Sequence, residues 1–195
     1  MKLHSGFYKM KDLLLVFVIF GAISIVCCQI PRFGRCPDAS VVQGFDADRY
    51  LGKWYEDEKF FFLAEWGLKC VSANYSLNDD GSIKVLNSGI NEKTGKASDA
   101  VGRATLGTTE PAKLSVKFSR FQPAGNYWVL DTDYDTYSLV WSCSNFLFAR
   151  TEIAWILTRD RAGIDDATTN RLKNILTGYG VKVSSFQKTD QTGCE

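Results

Sequence analysis

Beyond its first 28 residues the chain has no histidine; the one histidine of its 195 residues is His4. That absence removes Ser-His-Asp and Cys-His nucleophilic sites, and every histidine-based metal site, from consideration. Methionine is equally scarce: Met1 and Met10 both fall in the same leading segment, so methionine redox chemistry has no residue to use downstream. No CxxC pair occurs, which withholds the usual spacing for zinc or dithiol chemistry. Nor is there an excess of one charge. Setting aside Lys2, Lys9, Lys11 and Asp12 leaves 20 basic against 21 acidic side chains, a balance that gives nucleic acid nothing to bind. The chain is therefore read as a non-enzyme, with no catalytic residues, no cofactor and no metal.

Only one long apolar run is present. Lys2, Lys9 and Lys11 precede LLLVFVIFGAISIV, the 14 residues from Leu13 to Val26. This is short for a bilayer span, and Val26 and Cys28 occupy the two positions a signal peptidase reads. The expectation is a signal peptide over 1–28, cut between Cys28 and Gln29, with an uncleaved anchor as the competing reading. One domain over 29–195 then remains, a size that supports a single core. Cys36, Cys70, Cys143 and Cys194 are an even set in a chain read as secreted and extracellular, so two disulfides are expected. Three pairings are open from the residues alone, and each bridge is worth about 2–5 kcal/mol. Asn74-Tyr75-Ser76 is a glycosylation sequon, which places Asn74 toward water; an unused sequon is the alternative.

What the chain does have is alternation. In KCVSANYSLNDDGSIKVLNSGIN, Val71, Ala73, Tyr75 and Leu77 alternate with Cys70, Ser72, Asn74 and Ser76, and Asp80-Gly81 turns into Ile83, Val85 and Asn87. Ala100–Leu106 supplies another strand. In AKLSVKFSR, Leu114, Val116 and Phe118 share one face. NYWVLDTD, TYSLVWSC and FARTEIAWILTR add three more, and VKVSSF reads as a short last strand. A single helix precedes that last strand, capped by Asp165 or Asp166, carrying Leu172, Ile175 and Leu176 at helical spacing and ending at Gly178 and Gly180. Turn signals about every ten residues without intervening helices indicate an antiparallel meander. Closing it removes the raw edges. The expected fold is all-β: an eight-stranded antiparallel up-and-down β-barrel with one C-terminal α-helix packed outside.

Three motifs in order carry a resemblance to the lipocalin family: FDADRYLGKWYE with Gly52-Lys53-Trp54, then Thr132-Asp133-Tyr134 in VLDTDYDTYSLV, then Arg159 in AWILTRDR. The runs ANYSL, IKVLN, TEPAKLSVKFS, AWILTR and LKNILT extend the resemblance from about Cys36 to Cys194, toward the branch that holds apolipoprotein D and Lazarillo. The resemblance implies the pairings Cys36 with Cys143 and Cys70 with Cys194. It also implies a secreted carrier of a small hydrophobic ligand such as a fatty acid, steroid, retinoid or bilin, monomeric or weakly oligomeric. Gly52, Trp54, Thr132, Asp133, Tyr134 and Arg159 then organise the closed end, with the Arg159 guanidinium across the Trp54 ring. Asn91 stands where that branch has a basic residue near the mouth.

Alternation nominates Tyr75, Val85, Asn87, Leu114, Val116, Phe118, Tyr127, Val129 and Trp155 as ligand contacts. Of these, Tyr75, Asn87, Phe118, Tyr127 and Trp155 match pocket positions of the branch. An apolar wall with few polar groups is what such a pocket requires; the alternative is that these side chains fill a packed interior. Asn87 inside an apolar cup costs about 1–3 kcal/mol unless paired, so a bond to Tyr75 or Tyr127, water or a ligand is expected. Phe60, Phe61, Phe62, Leu63 and Trp66 fit neither a helical nor a strand period. In a lipocalin they fall at the first mouth loop, as a rim for a peripheral contact with a membrane or lipoprotein surface, as wall, or as a lid. An interaction protein acting through this rim is the alternative function, followed by a prostaglandin-isomerase-like enzyme, which needs an unpaired cysteine.

Overall fold

The computed structural model describes residues 30–194; the leader expected over 1–28 lies outside them. The elements are β1 (Ile30–Phe33), α1 (Ala47–Tyr50), β2 (Gly52–Phe60), β3 (Leu68–Leu77), β4 (Ile83–Asn91), β5 (Ala97–Thr105), β6 (Lys113–Lys117), β7 (Gly125–Thr132), β8 (Tyr137–Phe146), β9 (Ala149–Thr158), α2 (Asp166–Gly178) and β10 (Phe186–Lys188). Strands β2 to β9 pair antiparallel in chain order, and β9 returns to β2 to close an eight-stranded barrel. β1 adds to the far edge of β9.

Local chemistry explains the turns. Asn78 donates from its backbone to Ser82 O at 2.8 Å, Asp80 accepts from the backbone and hydroxyl of Ser82, and Gly81 takes φ +77°. In α2, Asp165 accepts from the Thr168 backbone at 2.9 Å and is the N-cap. The helix ends in a Schellman motif, with Gly180 (φ +72°) donating to Thr177 O and Val181 to Leu176 O. Its buried Leu172 and Leu176 face the outside of the barrel, while Arg171 reaches Asp131 of β7 and Lys173 reaches Glu58 of β2.

A bulge in β2 decides what enters the barrel. Glu56 pairs with Leu157 and Glu58 with Ile156, leaving Asp57 as the extra residue. The inward face therefore shifts from Trp54 and Glu56 to Lys59, which pairs with the inward Trp155. Above Tyr55, β2 parts from β3, and β10 pairs with the edge so released. Gln191 bridges the parted strands, its Nε2 donating to Glu56 O at 2.9 Å and Val71 O at 2.8 Å. Disulfides Cys36–Cys143 and Cys70–Cys194 tie both ends of the chain to the barrel.

Two local expectations are corrected. Val183–Ser185 is a 3-10 turn, and the last strand is Phe186–Lys188: the alternation of VKVSSF imitates a strand, but only the segment beside the free edge of β2 has a partner. Phe60 is not in the mouth loop. It ends β2 facing outward, 1% exposed, with its ring 4.7 Å from Phe186.

Candidate functional site

The closed end is a plug of interlocked polar and aromatic groups. Arg159 lies 3.7 Å over the Trp54 ring, and its guanidinium donates to Tyr134 O, Lys53 O and Arg49 O, each at 2.9 Å. Trp54 Nε1 donates to Tyr50 O at 2.9 Å. Gly52 has φ +88°, and a Cβ there would stand 3.4 Å from Arg159 Nη1, so the glycine serves both the turn and the guanidinium. Asp133 holds the β7–β8 turn by accepting from the backbones of Asp135, Thr136 and Tyr137. Thr132 Oγ1 accepts from the Tyr134 backbone.

Above the plug lies a floor of phenols. Tyr75 and Tyr127 share a hydrogen bond of 2.8 Å, Tyr127 and Tyr50 one of 3.0 Å, and Tyr50 and Ser138 one of 2.9 Å. Burial pushes Tyr50 up to about 12 and raises Tyr75 and Tyr127 as well, so the floor is polar but uncharged.

On this floor stands a cavity of about 200 Å³. Seven of the nominated residues line it: Tyr75, Val85, Asn87, Val116, Phe118, Tyr127 and Trp155. Leu114 (3% exposed) and Val129 (0%) do not; they sit in the core cluster. Trp155 is stacked with Tyr127 at 6.5 Å and meets the edge of Phe62 at 6.1 Å. Phe118 lies where a side chain on β5 would collide with it: a Cβ on Gly102 would come within 2.8 Å of its ring. Asn87 is half-buried on the wall, and among the described residues its amide has no hydrogen-bond partner; the phenols expected to bind it bind one another. Asn91 accepts from Lys93 and Thr94 in the β4–β5 turn, away from the cavity lining.

Glu56, Glu65, Val71, Ala73, Ile153 and Leu157 also line the cavity and were not nominated. Glu56 was legible, two residues from Trp54 on the same face of β2. Glu65 was not, because it comes from the 3-10 turn Leu63–Glu65 in the mouth loop. Lys59 Nζ stands 2.8 Å from Glu56 Oε1 and 2.7 Å from Glu65 Oε2, and Thr189 Oγ1 donates to Glu56 Oε1 at 2.6 Å. Burial and the neighbouring Glu65 charge push Glu56 up to about 8, against the pull of Lys59. Burial alone would lower Lys59, but the two carboxylates outweigh it and raise its pKa.

At the mouth, the aromatic run divides. Phe62 turns into the wall, while Phe61, Leu63 and Trp66 are exposed, Trp66 by 72%. The β6–β7 and β8–β9 connections open at the same end and add exposed Phe121, Leu147 and Phe148. Asn74 is exposed on the outer face of β3.

The sequence profile of the Lipocalin-like domain matches residues 45–191. Apolipoprotein D of Cavia porcellus is 41% identical over 184 residues, covering 93% of this chain and 96% of that protein. The Lazarillo protein of Schistocerca americana is 35% identical over 187 residues, 93% of this chain and 86% of its own. Among solved structures, insecticyanin from the tobacco hornworm Manduca sexta superposes with a TM-score of 0.71 at 26% identity, over 85% of this chain and 90% of that one.

Proposed function

The chain belongs to the lipocalin family, and from that membership we propose that it is a secreted carrier binding one small hydrophobic molecule per barrel, without a covalent step. The observation that carries this reading is the cavity: aromatic and aliphatic walls over a neutral phenol floor, closed below by Trp54 and Arg159 and open at the opposite end. A cavity of about 200 Å³ takes a slim molecule, with the rest of a longer one emerging between Phe62 and Phe118 at the mouth. Burying about 300 Å² of ligand at roughly 25 cal/mol per Å² gives about 7.5 kcal/mol before association costs, consistent with micromolar binding. Cleavage of 1–28 and glycosylation at the exposed Asn74 belong to the same reading, and the two disulfides suit an oxidising compartment. Both bridges formed, Cys36, Cys70, Cys143 and Cys194 offer no thiol nucleophile, which disfavours a cysteine-based isomerase.

The test is a tryptophan fluorescence titration of the disulfide-bonded protein with arachidonate, a retinoid, a steroid and biliverdin, beside a Trp155→Phe variant. Saturable quenching at one ligand per chain, weakened in the variant, is expected; flat titrations for all four overturn the carrier reading. A second reading rests on the exposed Phe61, Leu63, Trp66, Phe121, Leu147 and Phe148 around the opening: the mouth touches a lipid surface from which the ligand is drawn. Co-sedimentation with phosphatidylcholine vesicles tests it, and protein left wholly in the supernatant overturns it.

A further inference from the structure

The cavity contains two acidic side chains and, among the described residues, no cation left to meet a ligand carboxylate. Glu56 and Glu65 line it, and among the described residues no arginine, lysine or histidine does. Lys59 is held between the pair at 2.8 and 2.7 Å and answers the Glu65 charge, with its side chain and that of Glu65 each 12% exposed. An ammonium so placed is committed to its two partners. A ligand carboxylate entering the same space would add an anion beside Glu65, whose one cation is already engaged, in a poorly solvated cup where, among the described residues, no free guanidinium answers it. A hydroxyl meets the opposite situation. It donates to a carboxylate oxygen, and the same cavity lining offers the Asn87 amide, which has no protein partner among the described residues, as a further polar group.

Resting on the carrier reading and sharpening it, we propose that the Glu56–Lys59–Glu65 cluster selects the head of the ligand: it admits hydrophobic molecules ending in an uncharged hydrogen-bond donor, a primary alcohol foremost, and rejects the carboxylate of the same hydrocarbon. The cluster has a purely structural alternative, since Glu65 also staples the mouth loop to β2, and the experiment separates the two.

Retinol and retinoate share a hydrocarbon frame and differ at the head, so their dissociation constants by tryptophan quenching at pH 7 report on the head alone. Wild type is expected to bind retinol at least about tenfold more tightly than retinoate, one power of ten being the effect of about 1.4 kcal/mol. In Glu65→Gln, which removes the Glu65 charge while keeping the shape, the preference for retinol over retinoate falls at least about fivefold. The wild-type ratio read again at pH 9, where Glu56 has released its proton and retinoate should lose further ground to retinol, keeps the measurement informative if the loop variant unfolds. Retinoate binding as tightly as retinol in wild type overturns the proposal, as does a ratio that moves neither in folded Glu65→Gln nor between pH 7 and pH 9, the result a mere staple gives. Binding of neither retinoid also overturns it, and the carrier reading falls with it only if the four-ligand titration is flat as well.

Discussion

Arg159 at the base of the barrel donates to three carbonyls and covers a tryptophan, whereas Trp66 at the mouth is 72% exposed. Both ends are built from aromatic and charged residues, so composition does not distinguish them. Partnering does. At the base, the Trp54 ring is held by the Arg159 guanidinium and by its own bond to Tyr50 O, and the Tyr134 ring by Arg49, which fixes one arrangement and closes the barrel. At the mouth, Phe61, Leu63 and Trp66 project from a short loop anchored inward by Glu65 and Phe62. The lesson is that cover over the ring decides the role: Trp54 is structural because its ring is covered, and Trp66 is available for contact because its ring is not.

The sharpest way to break this comparison is at the base. Trp54→Ala removes a ring with no exposure and the surface on which Arg159 rests; a loss of about 3–5 kcal/mol is expected in urea denaturation. A loss under about 1 kcal/mol would mean that the plug is not what closes the barrel.

A smaller effect separates the buried cluster from both ends. Glu56 in the folded chain holds its proton up to about 8, against an ordinary 4.5. A raised carboxyl pKa stabilises the fold fully below the ordinary value, and that contribution is lost as pH rises through about 8. The groups facing Glu56 are Lys59, which stays charged across this window, Glu65, and the non-titrating Thr189 and Gln191 of the tail. Stability from chemical denaturation should therefore fall between pH 5 and 9, and Glu56→Gln should flatten the decline; a parallel decline in the variant assigns it elsewhere.

The smallest effect on folding belongs to the rim. Trp66→Ala is expected to alter stability by less than about 0.5 kcal/mol while lowering the fraction of protein that co-sediments with phosphatidylcholine vesicles. A large destabilisation would place Trp66 with the base residues after all.

Much of this was legible in the residues because period and punctuation agree. The alternation through Ala73, Tyr75, Val85 and Asn87 gave the inward face of β3 and β4, and Asp165 with Gly180 bounded the helix. Alternation fixes a face but not a height, which is why Leu114 and Val129 point inward yet lie in the packed core rather than along the cavity. It also cannot foresee an inserted residue. The bulge at Asp57 turns Lys59 into the barrel, and a strict period-two reading from Trp54 sends it out. The sequence likewise offered no reason to seek β1, whose short run of Ile30–Phe33 is ordered by the edge of β9 it meets.

The parting of β2 from β3 above Tyr55 means that eight strands alone do not make a watertight cup. The segment from Phe186 to Gln191 is seated in that breach, bonded to both sides, and the chain just beyond it is fastened to β3 by Cys70–Cys194. Trimming the chain before Phe186 would keep all eight barrel strands and yet open a lateral window beside Glu56, so that small molecules and water could pass through the flank of the vessel as well as its mouth.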